Sequence, residues 1–272
     1  MDKGYLSLSA ERYPKNGFPF RLGCTSYVYP ADLLPNVRKM APIVDDIEIV
    51  LFETESLSNL PGKAVISELT QIQKDHGNSY TVHFPIDKKA ASASDQERKY
   101  FQEQALKIMD LTLPLNPFAY ILHLEGISGD ANRDQQDAWT SRSMETCEKI
   151  GNFAGIDRSA MAVENLGYPM AWNTGIVNRF GFSLCMDVGH LWLYRHDWEG
   201  ILAQYLEKTR VIHLHGVWDG KDHLSIEEND QETLIKMVKT YLPGFHNVVT
   251  LEVFSEEATF GSIRRLETIW EK

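Results

Sequence analysis

The stretch LCMDVGH, residues 184–190, decides the fold: a short apolar run ends on Asp187, and His190 follows three residues later. The same grammar recurs along the chain. TVHF (81–84) carries His83, YILHLEG (120–126) carries His123, and MAVENLG (161–167) carries Glu164. VIHLHG (211–216) carries His213 and His215, VVTLEVF (248–254) carries Glu252, and an earlier run, DIEIVLFE (46–53), ends at Glu53. One imidazole at the end of one apolar run means little, since histidine is often a hydrogen-bonded core residue. Repeated delivery of His, Asp and Glu to the same end of successive elements implies a shared metal site and an architecture that converges on it.

Eight strand-like runs span 20–26, 45–53, 79–85, 118–125, 160–166, 182–187, 210–215 and 247–254. Most are continuously apolar, which suits parallel strands buried on both faces. Helical patterns lie between them. One starts at Pro61 and stops at Gly77; another, over 95–112, spaces Phe101, Ala105, Ile108, Met109 and Thr112 as one apolar face. Residues 135–154, 197–208, 230–242 and 256–271 behave likewise, while Pro30, Pro35, Pro42 and Pro169 interrupt the helices after the first and fifth runs. Strands alternating with helices predict an α/β chain closing as a single (β/α)8 TIM barrel, its site at the C-terminal strand ends. The expected organisation is a polar leader over 1–19 and one barrel domain over 20–272.

Totals narrow the function classes. The 272 residues suit one such barrel. The formal charge of −11 opposes phosphate-backbone binding, so no nucleic-acid partner is expected. Cys24, Cys147 and Cys185 are widely spaced, odd in number and free of any CxxC, and read as reduced thiols. No apolar h-region opens the chain and no run approaches a membrane span, so the expectation is a cytoplasmic protein without a membrane partner. Oligomeric state is not legible.

His83 and His123 occupy equivalent places on consecutive runs, beside Glu164 on the next; two imidazoles and a carboxylate suit Zn, Mn or Fe. Asp187 either joins that set or caps the following helix, with Gly189 letting the backbone turn to present His190. His213 and His215, two apart on a strand, face one side, His213 as ligand and His215 as ligand, proton shuttle or substrate contact. Glu252 has no basic partner in its run, and a buried carboxylate needs one. Asp222 and His223, after WDGKD, lie on a long loop that supplies an ion or is simply polar, with Asp219 competing as ligand. Tyr27, Tyr29, Trp172, Trp192, Tyr194 and Trp218 crowd the same mouth, either as loop packing or as a stacking surface for a flat ligand.

These residues resemble the xylose-isomerase-like TIM-barrel superfamily, which includes endonuclease IV and sugar isomerases and epimerases. The resemblance implies a one-ion quartet of Glu164, Asp187, His213 and Glu252, as in the epimerases. It also implies the endonuclease IV extension through His83, His123, His190 and His223; Lys221 stands where that pattern has Asp, with Asp222 adjacent. A narrower resemblance is to the cobamide-remodelling phosphodiesterases, carried by residues 21–53, YTVHFPID, LHLEG, VENLGYP, LCMDVGHLWLY and HLHGVWDGKDHLS. It implies hydrolysis of the nucleotide loop of adenosylated cobamides to cobinamide phosphate and an α-riboside, with one to three Zn or Mn ions. Glu252 would orient the attacking water and His190 or His215 would protonate the leaving alkoxide. The rivals are a mononuclear sugar isomerase or epimerase, an abasic-site endonuclease, and a non-catalytic cobamide-binding protein.

Overall fold

The computed structural model describes residues 15–53 and 58–271. Eight parallel strands close into a barrel: β1 (Arg21–Thr25), β2 (Asp46–Val50), β3 (Ser79–His83), β4 (Ala119–Leu122), β5 (Met161–Glu164), β6 (Ser183–Asp187), β7 (Thr209–Leu214) and, after two short strands described below, β10 (Val248–Leu251). Around the ring the order is β1-β10-β7-β6-β5-β4-β3-β2, so the last barrel strand zips onto the first, with Arg21 opposite Val248. The helices are α1 (Leu33–Met40), α2 (Lys63–His76), α3 (Asp95–Thr112), α4 (Arg133–Gly151), α5 (Ala171–Phe180), α6 (Val188–Leu193), α7 (Trp198–Tyr205), α8 (Gln231–Lys236) and α9 (Glu256–Glu271).

Strand alternation divides the apolar residues into two sets. Tyr80, Val82, Leu184, Met186, Ile212 and Leu214 point outward and join the helix faces in the large core. Ala119, Ile121, Ala162, Cys185, Val211 and Val248 form a separate inner cluster, small enough to share the barrel lumen. Phe118 packs against this inner layer, its ring between the guanidinium groups of Arg21 (3.8 Å) and Arg210 (4.2 Å). The three cysteines are free and buried.

Local signals set the helix ends. Gly77 takes the left-handed conformation (φ 70°) after α2, the Ser94 hydroxyl accepts from Glu97 N ahead of α3, and Asn132 and Gln135 form a reciprocal capping box before α4. The prolines frame the helices they were expected to interrupt: Pro35 sits in the first turn of α1, Pro42 follows that helix, and Pro169 precedes α5.

Two features differ from expectation. Of the leader, residues 1–14 lie outside the described residues, whereas its end is fastened: Lys15 donates to Ala41 O (2.9 Å), Asn16 N to Asp45 Oδ1 (2.9 Å), and Phe18 stacks on Phe20. The expected loop after β7 is an antiparallel hairpin, β8 (Gly216–Trp218) and β9 (Lys221–Leu224). Asp219 (φ 50°) and Gly220 (φ 72°) form its two-residue turn, both with the positive φ of a type I′ hairpin. Among the described residues, no helix is long and apolar enough to cross a membrane.

Candidate metal centre

At the C-terminal end of the lumen the inward positions change from small apolar residues to carboxylates and imidazoles. Glu164, at the end of β5, is the hub. His123 Nε2 lies 3.0 Å and His83 Nε2 3.7 Å from Glu164 Oε2; His213 Nδ1 lies 3.4 Å from the same oxygen and 3.0 Å from Glu252 Oε2. His190 Nδ1 lies 3.3 Å from Glu164 Oε1 and 3.1 Å from Asp187 Oδ2. Two ligand groups gather the expected ligands, each with its donor atoms within 4.8 Å of one another: His83, His123 and Glu164, and Glu164, Asp187, His213 and Glu252; Glu164 with Cys185 and His213, and Glu48 with His83 and Glu252, meet the same limit.

Each imidazole is oriented by the nitrogen it does not turn to the centre. His83 Nδ1 donates to Phe84 O (2.8 Å), His123 Nδ1 to Glu125 Oε1 (3.3 Å) and His213 Nε2 to Glu48 Oε2 (2.8 Å). Those hydrogen bonds fix the tautomers that aim His83 Nε2, His123 Nε2 and His213 Nδ1 as lone pairs into the centre, the usual support of metal-bound histidine. Asn165 clamps the ends of β5 and β6, accepting from Asp187 N and donating to Asp187 O, each at 2.8 Å. Asn173 donates to Glu164 O (3.0 Å).

The fit to a divalent cation rests on what these atoms lack. His123 Nε2, both Glu164 oxygens, His213 Nδ1 and Glu252 Oε2 are buried without a partner of hydrogen-bonding geometry. Buried polar atoms left so are costly, and a cation among them satisfies all at once. The electrostatics agree. Burial opposes ionisation of Glu164, but the His123 and His213 imidazoles hold it well below the usual carboxylate range. Burial also opposes a proton on His123, yet Glu164 and Glu125 push its pKa up to about 10, so a cation at Nε2 must displace the proton that otherwise sits there. Glu164 therefore stays ionised, and the site offers donor types that Zn or Mn accept.

A third group lies toward the open face. His190 Nε2 and His223 Nε2 lie 4.0 and 3.9 Å from Asp222 Oδ2, so Asp222 meets both imidazoles although it is displaced by one residue from the endonuclease pattern. His223 sits at φ 51°, a left-handed backbone for a non-glycine residue, and its Nδ1 donates to Glu252 O (3.1 Å). Asp219 does not compete as a ligand; it is spent on the hairpin turn and exposed.

Several expected roles shift. Asp187 unites both of its readings: its Oδ1 accepts from His190 N (2.7 Å) as the cap of α6 while it belongs to the quartet. Gly189 lies inside α6 and is not needed for a turn; a Cβ there would collide with the His215 ring, so its role is to make room for that ring. His215 is fully buried beneath the hairpin. Its Nδ1 accepts from His223 N (3.0 Å) and its Nε2 faces Asp187 Oδ1 (3.1 Å), which makes it a support for Asp187 more than a shuttle at the open face. On β2 the acid that reaches the centre is Glu48, not Glu53. Residues 46, 48 and 50 share the inward face, a period-two signal present in DIEIV.

The six aromatics divide as well. Trp172 stacks on Tyr168 (5.8 Å between centroids), Trp192 packs edge-on to Trp198 (6.2 Å), Tyr27 tilts against Phe52 (5.5 Å), and Tyr29 carries Lys39 Nζ over its ring (3.8 Å). These four belong to packing. Tyr194 (50% exposed) and Trp218 (65% exposed) project at the mouth, joined by Phe254 (45% exposed), which sequence reasoning missed because burial of a loop ring depends on tertiary neighbours.

Comparison with known structures gives the same barrel. The chain is similar to a D-tagatose 3-epimerase-like protein, with a TM-score of 0.74 and 20% identity over 93% of this chain and 97% of that one. It is similar to endonuclease IV from Thermus thermophilus, with a TM-score of 0.69 and 17% identity over 92% and 99%. It is also similar to the IOLI protein with a bound zinc atom, with a TM-score of 0.69 and 14% identity over 92% and 98%. At these identities the likeness concerns the fold. No curated protein matches the sequence. A family model described as the xylose isomerase-like TIM barrel matches residues 44–271, most of the chain. With the closed eight-stranded barrel and the metal-compatible centre at its mouth, that match establishes that the chain belongs to the xylose isomerase-like TIM-barrel family.

Proposed function

We propose that this chain is a metal-dependent phosphodiesterase that hydrolyses the nucleotide loop of cobamides, releasing cobinamide phosphate and an α-riboside. The observation that carries this reading is the second ligand group. His83 and His123 share Glu164 with the quartet, and a one-ion isomerase has no use for them. The narrower resemblance of the sequence supplies the substrate class, and the charge of −11 suits a bulky cofactor better than a nucleic acid.

Divalent ions held by the two groups supply charge that polarises phosphoryl oxygens and acidifies an attacking water. Glu252, at hydrogen-bonding distance from His213 and buried at the end of β10, would orient that water, whose proton passes to solvent once the water is acidified. The water oxygen forms a new bond to phosphorus while the bond from phosphorus to the ribosyl oxygen breaks, leaving phosphate on the cobinamide. His190 Nε2 faces the open side toward Asp222 and donates a proton to the departing ribosyl oxygen. On this reading His190 and the Asp222–His223 side would serve proton transfer.

The test is incubation of the purified chain with adenosylcobalamin and Mn or Zn, followed by mass detection of cobinamide phosphate. Product formation that chelation abolishes is expected; unchanged turnover in metal-free protein would refute the mechanism. A second reading, a sugar isomerase or epimerase, is favoured by the quartet itself and by the likeness to an epimerase-like structure. Deuterium exchange into a ketose, with no cobamide cleaved, would put it first.

A further inference from the structure

The mouth has two unlike sides. Between the loops after β3, β4 and β5 and the end of α6 lies a groove of about 680 Å³, walled by Lys89, Glu125, Ser128, Tyr168 and Tyr194 among others. Two of its walls adjoin the centre: Glu125 contacts His123, and the Tyr194 ring lies 6.1 Å from that of His190. Its floor is bare backbone. A Cβ on Gly126 would meet Ala91 O at 2.7 Å, one on Gly129 would meet Gly167 O at 2.9 Å, and one on Gly167 would touch the Tyr194 ring at 3.0 Å. Across the centre, the hairpin and the segment after β10 present Trp218 and Phe254, with Phe254 5.2 Å from the His223 ring.

Resting on the phosphodiesterase reading above, we propose that the groove is the subsite for the leaving half of the substrate, a neutral riboside carrying a flat heteroaromatic base. Trp218 and Phe254 form the platform for the face of the amide-fringed macrocycle. Three observations lead there. The groove approaches His190, the proposed proton donor, through Tyr194, whose ring lies 6.1 Å from the imidazole. Among its described lining side chains Lys89 is the one cation and Glu125 opposes it, so the groove is built for hydroxyls and not for a phosphate that stays behind. Half-exposed Tyr194, braced on Gly167, offers a ring face to a base, whereas the opposite side presents the exposed rings of Trp218 and Phe254 beside Asp222 and His223.

The two halves can be titrated separately into the full-length, metal-loaded protein by calorimetry, with the α-riboside of 5,6-dimethylbenzimidazole and cobinamide as probes. Ser128→Trp fills the groove from an exposed loop position, and Tyr194→Ala removes the ring. Each should weaken riboside binding about tenfold or more while cobinamide affinity stays within about twofold, and Trp218→Ala with Phe254→Ala should do the reverse. Thermal melting and metal content serve as fold controls. Riboside affinity that is equal in S128W and wild type, or absent from wild type, overturns the groove assignment. If wild type still releases cobinamide phosphate in that case, the phosphodiesterase reading stands without it; if wild type cleaves no cobamide, the function falls first and the subsite with it.

Discussion

The two ends of the barrel lumen are built on the same strands and solve opposite problems. On β7, Val211 and His213 point inward two residues apart; one belongs to the small apolar layer, the other to the metal-compatible centre. The lower end is mostly apolar, from close-packed Ala, Ile, Val and Cys side chains to Phe118 beside two arginines, with Asp46, Thr81 and Thr250 as its polar exceptions. At the upper end, buried nitrogens and oxygens converge without hydrogen-bonding partners. Packing of the lower layer stabilises the fold, while the upper layer costs stability until a cation enters. The division of labour is therefore between holding the ring closed and leaving an unsatisfied site to be filled.

The largest effect expected from breaking this contrast is at the hub. Glu164→Gln should eliminate bound metal, read by elemental mass spectrometry, and lower cobamide hydrolysis on the order of 10³-fold. Retained metal at wild-type stoichiometry would show that Glu164 is not shared between ions. Next is the lower layer: Ile121→Ala, fully buried in the lumen, should cost about 3 kcal/mol in urea unfolding while metal affinity is unchanged. An equal loss of metal affinity would mean that the two ends are not separable.

A smaller effect is expected at Glu48, which accepts from His213 Nε2 and lies beside His83 and Glu252 at the edge of the centre. Glu48→Gln should weaken metal binding about 10- to 100-fold with little change in melting of the metal-free chain, measured by equilibrium dialysis. The smallest effect sharpens the lower end through its one uncomfortable acid. Asp46 is buried; desolvation raises its carboxyl to about 6, a hydrogen bond from Ser79 notwithstanding. A raised carboxyl costs nothing below its unfolded value of 3.8, and the cost grows as pH climbs toward about 6 and is full above it. Asp46→Asn should therefore be more stable than wild type by on the order of 1 kcal/mol at pH 8, with the gain largely gone at pH 4. A gain independent of pH in parallel urea titrations would remove the electrostatic cause.

How much of this was legible depended on whether the signal was local. Runs such as MAVE and LCMD are apolar on both faces, and that alone points to a closed parallel sheet with its acids at one end. Glu48 was hidden inside such a run because the eye follows the run to its last acid, Glu53, whereas period-two counting from Asp46 turns Glu48 inward. The Asp219–Gly220 pair is a turn signal, but the strands on either side of it are too short and polar to announce a hairpin, so the way Asp222 and His223 come over the centre is not legible locally. Ring exposure was not legible at all. Trp172 and Trp218 look alike in sequence, and only the partners supplied by α4 and its neighbours separate them.

The plug of small side chains beneath the centre has a kinetic consequence. Ala119, Ile121, Ala162, Cys185, Val211 and Val248 have no exposed surface, so the lumen offers no back door. Whatever enters must leave through the same opening, and under the proposed hydrolysis two product fragments seated on opposite sides of it would have to depart in turn. The fragment that lingers longer then sets how soon the next substrate can be admitted, and its inhibition pattern would name it.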